Sequence, residues 1–270
     1  MVNSKIQPAD YKPGDLRQFL NRKVEEYNRP SFIASDPISI PHQFRKKQDI
    51  EIAAFFAAIF SWGNRTTIIR KSGELMQAMD NAPHQFVLQH SEKELRRLLD
   101  FRHRTFNATD LLYFIEFFKY HYTHYDSLED AFLMGGNPAD ALTGFYHYFF
   151  SLEVPNEGPA LLAPPRTYKH IASPEKNSSC KRLNMFLRWM VRKDDKGVDF
   201  GIWQRIPTQS LICPLDVHVG RVAKRFGLLH RTQTDWQAAL ELTDQLRILD
   251  KDDPVKYDFA LFGLGVMEKF

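Results

Sequence analysis

Apolar positions along this chain recur with the period of a helix, and sustained strand-type alternation is scarce. A first helix is predicted from Asp15 to Tyr27, closed by Asn28-Arg29-Pro30. Asp36-Pro-Ile-Ser-Ile-Pro-His reads as an extended loop, because a residue before proline is pushed away from helix. The next helix, about Lys47 to Trp62, contains IAAFFAAIF and is apolar almost all round, as befits the middle of a bundle. Gly63-Asn64 breaks that pattern, and a third helix follows from Arg65 to about Met79. Ser91 with Glu94 predicts a capping box, and an aromatic-rich helix spans Thr109 to about Tyr122. Asp126 or Ser127 is placed to cap a short helix ending at Gly135-Gly136, with Pro138 in the first turn of its successor.

From Val154 to Lys176, Pro155, Pro159, Pro164, Pro165 and Pro174 argue against a long helix and predict an irregular loop or lid. Helices resume at about Ser179 to Arg192, Val217 to Phe226, Thr234 to Leu249 and Pro254 to Leu264. The expected architecture is all-α: one helical unit of two closely packed subdomains, 46–192 and 1–45 with 193–270.

Composition narrows the class. A chain of 270 residues, 43% hydrophobic and 26% charged, has the balance of an ordinary globular protein. Cys180 and Cys213 are the only cysteines, too few for a disulfide framework, a four-thiolate zinc site or an iron–sulfur cluster. The longest uncharged apolar stretch, Ile52 to Gly63, is 12 residues, against the ~20 that cross a bilayer. No signal peptide opens the chain, so a cytoplasmic protein without a membrane partner is expected. Net charge is +3, but Lys181 to Arg231 alone holds 11 Lys/Arg against four Asp/Glu. That local excess points to a polyanionic partner; a solvated basic surface is the plainer alternative.

Two segments within that stretch carry candidate chemistry. In SSCKRLNMFLRWMVRK, Leu183, Phe186, Leu187, Met190 and Val191 form a core face, and Lys181, Asn184, Arg188 and Arg192 line another. Ser178 or Ser179 is a natural N-cap, which puts Lys181 in the first turn. A cation there opposes the helix dipole, which disfavours its ammonium form, a route to a nucleophilic amine. In CPLDVHVGRVAKRFGLL, Asp216 stands at the start of a second helix, with His218, Arg221 and Lys224 in its first turns. Backbone N–H groups and these cations suit a phosphate, whereas helix capping is the structural role open to Asp216.

Read together, the lysine at a helix start and Pro214-Leu215-Asp216-Val217-His218 leading to Arg221 resemble the helix-hairpin-helix superfamily of base-excision DNA glycosylases. Ser61-Trp62-Gly63-Asn64 after the apolar run is similar to the helix junction that approaches a flipped base in that superfamily. YDFALFGLG resembles the helix backing the same pocket. Over nearly its whole length the chain resembles more closely still an uncharacterised bacterial family of about this size. It departs from the glycosylases at the hairpin: Asn177-Ser178-Ser179-Cys180 has no glycine, and Lys181 and Asp216 lie 35 residues apart. A glycine-free, extended hairpin occurs in the archaeal 8-oxoguanine glycosylases.

The resemblance implies a glycosylase fold acting on duplex or single-stranded DNA, with the damaged base flipped out of the stack. Lys181 would attack C1′ as a neutral amine and form a Schiff base, making a bifunctional glycosylase/lyase. Asp216 would stabilise positive charge on the sugar. His218, Arg221, Ser178, Ser179, Arg182 and Lys224 would hold DNA, and Trp62 and Asn64 would line the base pocket. This chemistry needs no metal or other cofactor. A nucleic-acid-binding protein that kept the fold without the chemistry, and a scaffold for an acidic partner, are the competing readings.

Overall fold

The computed structural model describes residues 13–133, 138–152 and 163–270. In chain order the helices are α1 (Pro13–Tyr27), α2 (Pro30–Ile33), α3 (Lys47–Phe60), α4 (Arg65–Ala78), α5 (Pro83–Gln89) and α6 (Glu92–Arg96). A small hairpin of β1 (Arg102–His103) and β2 (Phe106–Asn107) follows. Then come α7 (Ala108–His124), α8 (Pro138–Phe150), α9 (Lys181–Val191), α10 (Val217–Arg225), α11 (Trp236–Leu249) and α12 (Tyr257–Val266). The all-α expectation holds, with this hairpin as the one sheet among the described residues.

Two compact units emerge. One comprises Met1–Phe32, Pro174–Gly201 and Pro207–Phe270; the other comprises Ile33–Ser173 and Ile202–Ile206. The division differs from the expected one, because α9 groups with the terminal helices rather than with residues 46–173. Within that unit Arg188 of α9 and Arg192 just beyond it are tied to Asp199, Asp253 and Asp258.

In the unit built on residues 33–173, α3 is buried on every side from Ile50 to Phe60. Alanines at 53, 54, 57 and 58 leave room around it, and Phe55 and Phe56 reach the rings of Phe114 and Phe118 on α7. Phe145 of α8 stacks on Phe132 with centroids 4.1 Å apart, and Phe149 meets Phe114 edge-on at 4.8 Å. These phenylalanines fill an aromatic core within this unit. Glu51 is sealed inside it, accepting from Ser127 Oγ (2.6 Å), Trp203 Nε1 (2.6 Å), Tyr122 Oη (2.8 Å) and the Leu128 N–H (3.1 Å).

Several local expectations are corrected. The 36–42 segment is not extended: Pro37–Ser39 and Pro41–Gln43 form short 3-10 turns, with Ile40 in the right-handed helical region. Asp36, before Pro37, keeps the extended conformation and caps the Ile38 N–H, whereas Ile40, before Pro41, is helical and buried. The Ser91–Glu94 capping box is present, though the helix that it starts is only five residues long. Ser127 caps a 3-10 turn, Leu128–Phe132, and Gly135-Gly136 lies outside the described residues. Of the proline-rich stretch, 154–162 also lies outside them; 163–176 contains 3-10 turns at Thr167–His170 and Pro174–Lys176.

In the other unit α12 packs against both α1 and α10. Glycines make that possible: a Cβ at Gly263 would fall 2.2 Å from the Tyr27 ring, and one at Gly265 would fall 3.1 Å from the His218 carbonyl oxygen. Between Tyr257 and Gly265, α12 is buried at every position except Phe262. Asp258 is its one acidic residue.

Candidate functional site

Lys181 is the first residue of α9, as the sequence predicts, but the cap is different. The N-cap is Cys180, not Ser178 or Ser179, and it makes no side-chain cap. Cys180 has φ 50° and Asn177 has φ 52°, so two left-handed residues bracket the serines. The chain therefore makes without glycine a turn of the kind that normally calls for one. Cys180 is buried, so the turn folds its thiol inward, while Ser178 Oγ accepts from the Cys180 N–H at 3.2 Å. Ser179 Oγ donates to the Leu215 carbonyl at 3.2 Å, which ties the start of α9 to the residue before Asp216.

Asp216 caps α10, its Oδ1 accepting from the His218 N–H (2.9 Å) and the Val219 N–H (3.0 Å). The capping role is real, yet it occupies one oxygen; among the described residues Oδ2 accepts no hydrogen bond. The Lys181 side chain is half-buried and makes no hydrogen bond or ion pair among those residues.

Lys181 and Asp216 act on a shared neighbour that the sequence reading did not single out. Asp258 of α12 is buried and pairs with Arg188 of α9. Burial pushes its carboxyl up to about 6; Arg188 and Lys181 oppose that rise, while Asp216 and Asp199 reinforce it. The Cys213 thiol, also buried, lies in the same field, and burial followed by the Asp258 charge holds it well above its ordinary range. A lone acid in the otherwise apolar YDFALFGLG was the available signal, since a charge in such a helix must find a buried partner.

The second face of α9 is buried as well. Asn184, Arg188 and Arg192 are at most 4% exposed. Asn184 donates to the Ser179 carbonyl at 3.0 Å, while its own Oδ1, one turn from Lys181, has no partner among the described residues. Arg192 pairs with Asp194 (2.8 Å), Asp199 (3.1 Å) and Asp253 (2.9 Å). Burial lowers Arg192's affinity for its proton and these carboxylates outweigh that, so the arginine is held firmly charged.

Much of the basic excess counted between 181 and 231 is consumed internally. Arg205 pairs with Glu129 and Asp130, Arg231 with Asp235, and Lys196 with Glu25. Arg221 donates to the carbonyls of Gly265 (2.7 Å) and Phe270 (3.0 Å), and Lys224 to that of Thr232 (2.9 Å). These two candidate DNA-binding cations are therefore engaged with backbone oxygens. His218 is half-buried, its Nδ1 unpartnered among the described residues; Ser178 pairs through its backbone with Asp235, and Arg182 is half-buried beside Lys181.

Trp62 and Asn64 belong to the other unit and are described by themselves. Asn64 is exposed and caps α4, accepting from the Thr67 N–H at 3.1 Å. Trp62 is half-buried, and the Arg104 guanidinium lies 4.3 Å from the centroid of its ring. Among the described residues no group of three or more His, Cys, Asp or Glu side chains is arranged to hold a metal ion, and no helix is long and apolar enough to cross a membrane.

No curated protein and no solved structure matches the chain. Residues 36–267 match the family described as "Protein of unknown function (DUF2400)", and the chain belongs to that family.

Proposed function

We propose that the protein is a nucleic-acid glycosylase of the base-excision type, with Lys181 as nucleophile and Asp216 as the charge-stabilising carboxylate. The observation that carries this reading is that an amine with no hydrogen bond or ion pair and a carboxylate with one uncommitted oxygen, among the described residues, both bear on the same buried acid. Both stand at helix starts, and both act on the buried Asp258. In the reaction the Lys181 nitrogen bonds to C1′ of a flipped nucleotide, and the C1′–base bond breaks with its electron pair leaving on the base. The base then takes a proton. The nitrogen lone pair then expels the ring oxygen from C1′, which stays on C4′ and takes up a proton as a hydroxyl, giving a Schiff base; loss of a C2′ proton expels the 3′ phosphate and cuts the strand. The free Oδ2 of Asp216 offsets positive charge on the sugar while Oδ1 keeps α10 in place, an electrostatic role of the kind that dominates many active sites.

Borohydride trapping tests the proposal. The protein is incubated with single- and double-stranded oligonucleotides carrying an abasic site, 8-oxoguanine, uracil or an alkylated base, beside Lys181→Ala. The expected result is a covalent adduct that the variant loses, with the best-trapped oligonucleotide indicating the substrate class. No adduct, together with base release unaffected in Asp216→Asn, overturns the lysine mechanism.

A further inference from the structure

Unpaired cations also lie outside the stretch that charge counting favours. Arg102 and Arg104, on the β1–β2 hairpin, are both exposed, and among the described residues neither meets a carboxylate. Arg104 is held in a built position. It takes the left-handed conformation, φ 55°, at the hairpin tip, which is unfavourable for a residue with a Cβ. Its guanidinium stacks on Trp62, and Gly63 clears the space: a Cβ there would fall 2.5 Å from Arg104 Nη1. Gly63 itself has φ +110°, so the backbone turn and the close approach both require glycine.

The hairpin is anchored from behind. His103 is buried and its Nε2–H donates to the Phe60 carbonyl at 3.0 Å; Arg166 Nη2 donates to the Thr105 carbonyl at 2.7 Å. Burial lowers the proton affinity of His103, its bond to the Phe60 carbonyl raises it, and the nearby charges of Arg104, Lys71 and Arg70 lower it further; Lys71 Nζ lies 5.6 Å from the ring centroid of Phe101, the residue before Arg102. Glu74 is the shared partner of Arg70 and Lys71, which leaves the group with net positive charge.

We infer that the face formed by Arg102, Arg104, Arg70 and Lys71 beside Trp62 is a docking surface for the sugar–phosphate backbone of a nucleic acid. Planar guanidinium forks match phosphate oxygens in pairs. An arginine preorganised on an aromatic ring, amid further cations, is a combination suited to nucleic acid more than to a lipid surface, for which flexible lysines suffice. The inference is independent of chemistry at Lys181 and assigns a binding role to the unit that lacks that residue.

The test uses the full chain. Affinity for labelled single-stranded and duplex oligonucleotides of mixed sequence is measured between 50 and 200 mM salt. Wild type is compared with Arg102→Gln/Arg104→Gln and with a control, Arg22→Gln/Lys119→Gln, that removes two exposed cations elsewhere. Loss of two phosphate contacts lowers the salt slope on a single strand by about 1.4. The hairpin variant is expected to bind at least tenfold more weakly at 100 mM salt, with unchanged melting temperature, while the control retains wild-type affinity. Trp62→Ala, which leaves Arg104 unsupported, is expected to weaken binding to an intermediate degree. Equal affinity and slope in wild type and hairpin variant overturn the inference, as does an equal loss in the control. A matching loss of binding to polyglutamate or anionic vesicles overturns the choice of nucleic acid as partner. Borohydride trapping reads Lys181 separately, so a positive trap with an inert hairpin, or the reverse, assigns each outcome to one proposal.

Discussion

Arg188 of α9 and Asp258 of α12 form a buried ion pair, and the carboxylate of that pair lies within the electrostatic reach of both Lys181 and Asp216. The arrangement couples stability to pH with a definite sign. Asp258 holds its proton up to about 6 in the folded protein, against about 3.9 in an unfolded chain. The folded state therefore binds more protons in this window, and the contribution of Asp258 to stability falls as pH rises from about 4 to about 6. It is fully present only below that window and amounts to on the order of 3 kcal/mol. Asp258→Asn should flatten the decline, which urea midpoints measured from pH 4 to 7 will read. An unchanged profile would mean that another group dominates the window.

Asp216 has two separable roles, and two substitutions should part them. Asn keeps an oxygen to accept from the His218 and Val219 N–H groups, so stability should change by only a few tenths of a kcal/mol. Ala loses the cap and should cost about 1 kcal/mol. Both should abolish borohydride trapping if the carboxylate charge is what the chemistry uses. Trapping by Asp216→Asn at the wild-type rate would reduce the residue to a helix cap.

Glu51 is buried without a cation, its two oxygens shared among four donors. Burial raises its proton affinity, and the four hydrogen bonds pull the other way. Glu51→Gln turns one oxygen into an NH2 group that faces donors, which should cost about 2–4 kcal/mol in urea denaturation. A change below about 0.5 kcal/mol would show that the surrounding hydroxyls reorient at little cost.

Cys180 carries a left-handed backbone at the start of α9. Cys180→Val adds a second branch at Cβ in that conformation and should destabilise the protein by roughly 1–2 kcal/mol. Cys180→Gly removes the backbone strain but also a buried thiol, so it should be close to neutral. Thermal melts of the two variants measure the difference, and equal loss in both would show that thiol packing, not backbone strain, sets the requirement.

Helices whose signals are local can be read directly from the residues that form them. The all-round apolar run of α3, the Ser91–Glu94 and Pro138 starts, and the placing of Lys181 and Asp216 at the heads of α9 and α10 were legible because periodicity and capping act within a few residues. Only the tertiary structure decided which charges remain available. Arg188 finds Asp258 seventy positions away, and Arg205 finds Glu129 seventy-six away; a count of basic residues along 181–231 cannot register partners so distant in sequence. The same holds for Arg104, ordinary in FRHRTF, which is set on Trp62 by a strained turn and a glycine forty-one residues earlier. Hydrophobic patterning specifies which face of an element turns inward. Which ionised groups the inward faces bring together depends on how the chain closes on itself, because Coulomb forces act through space rather than along the chain.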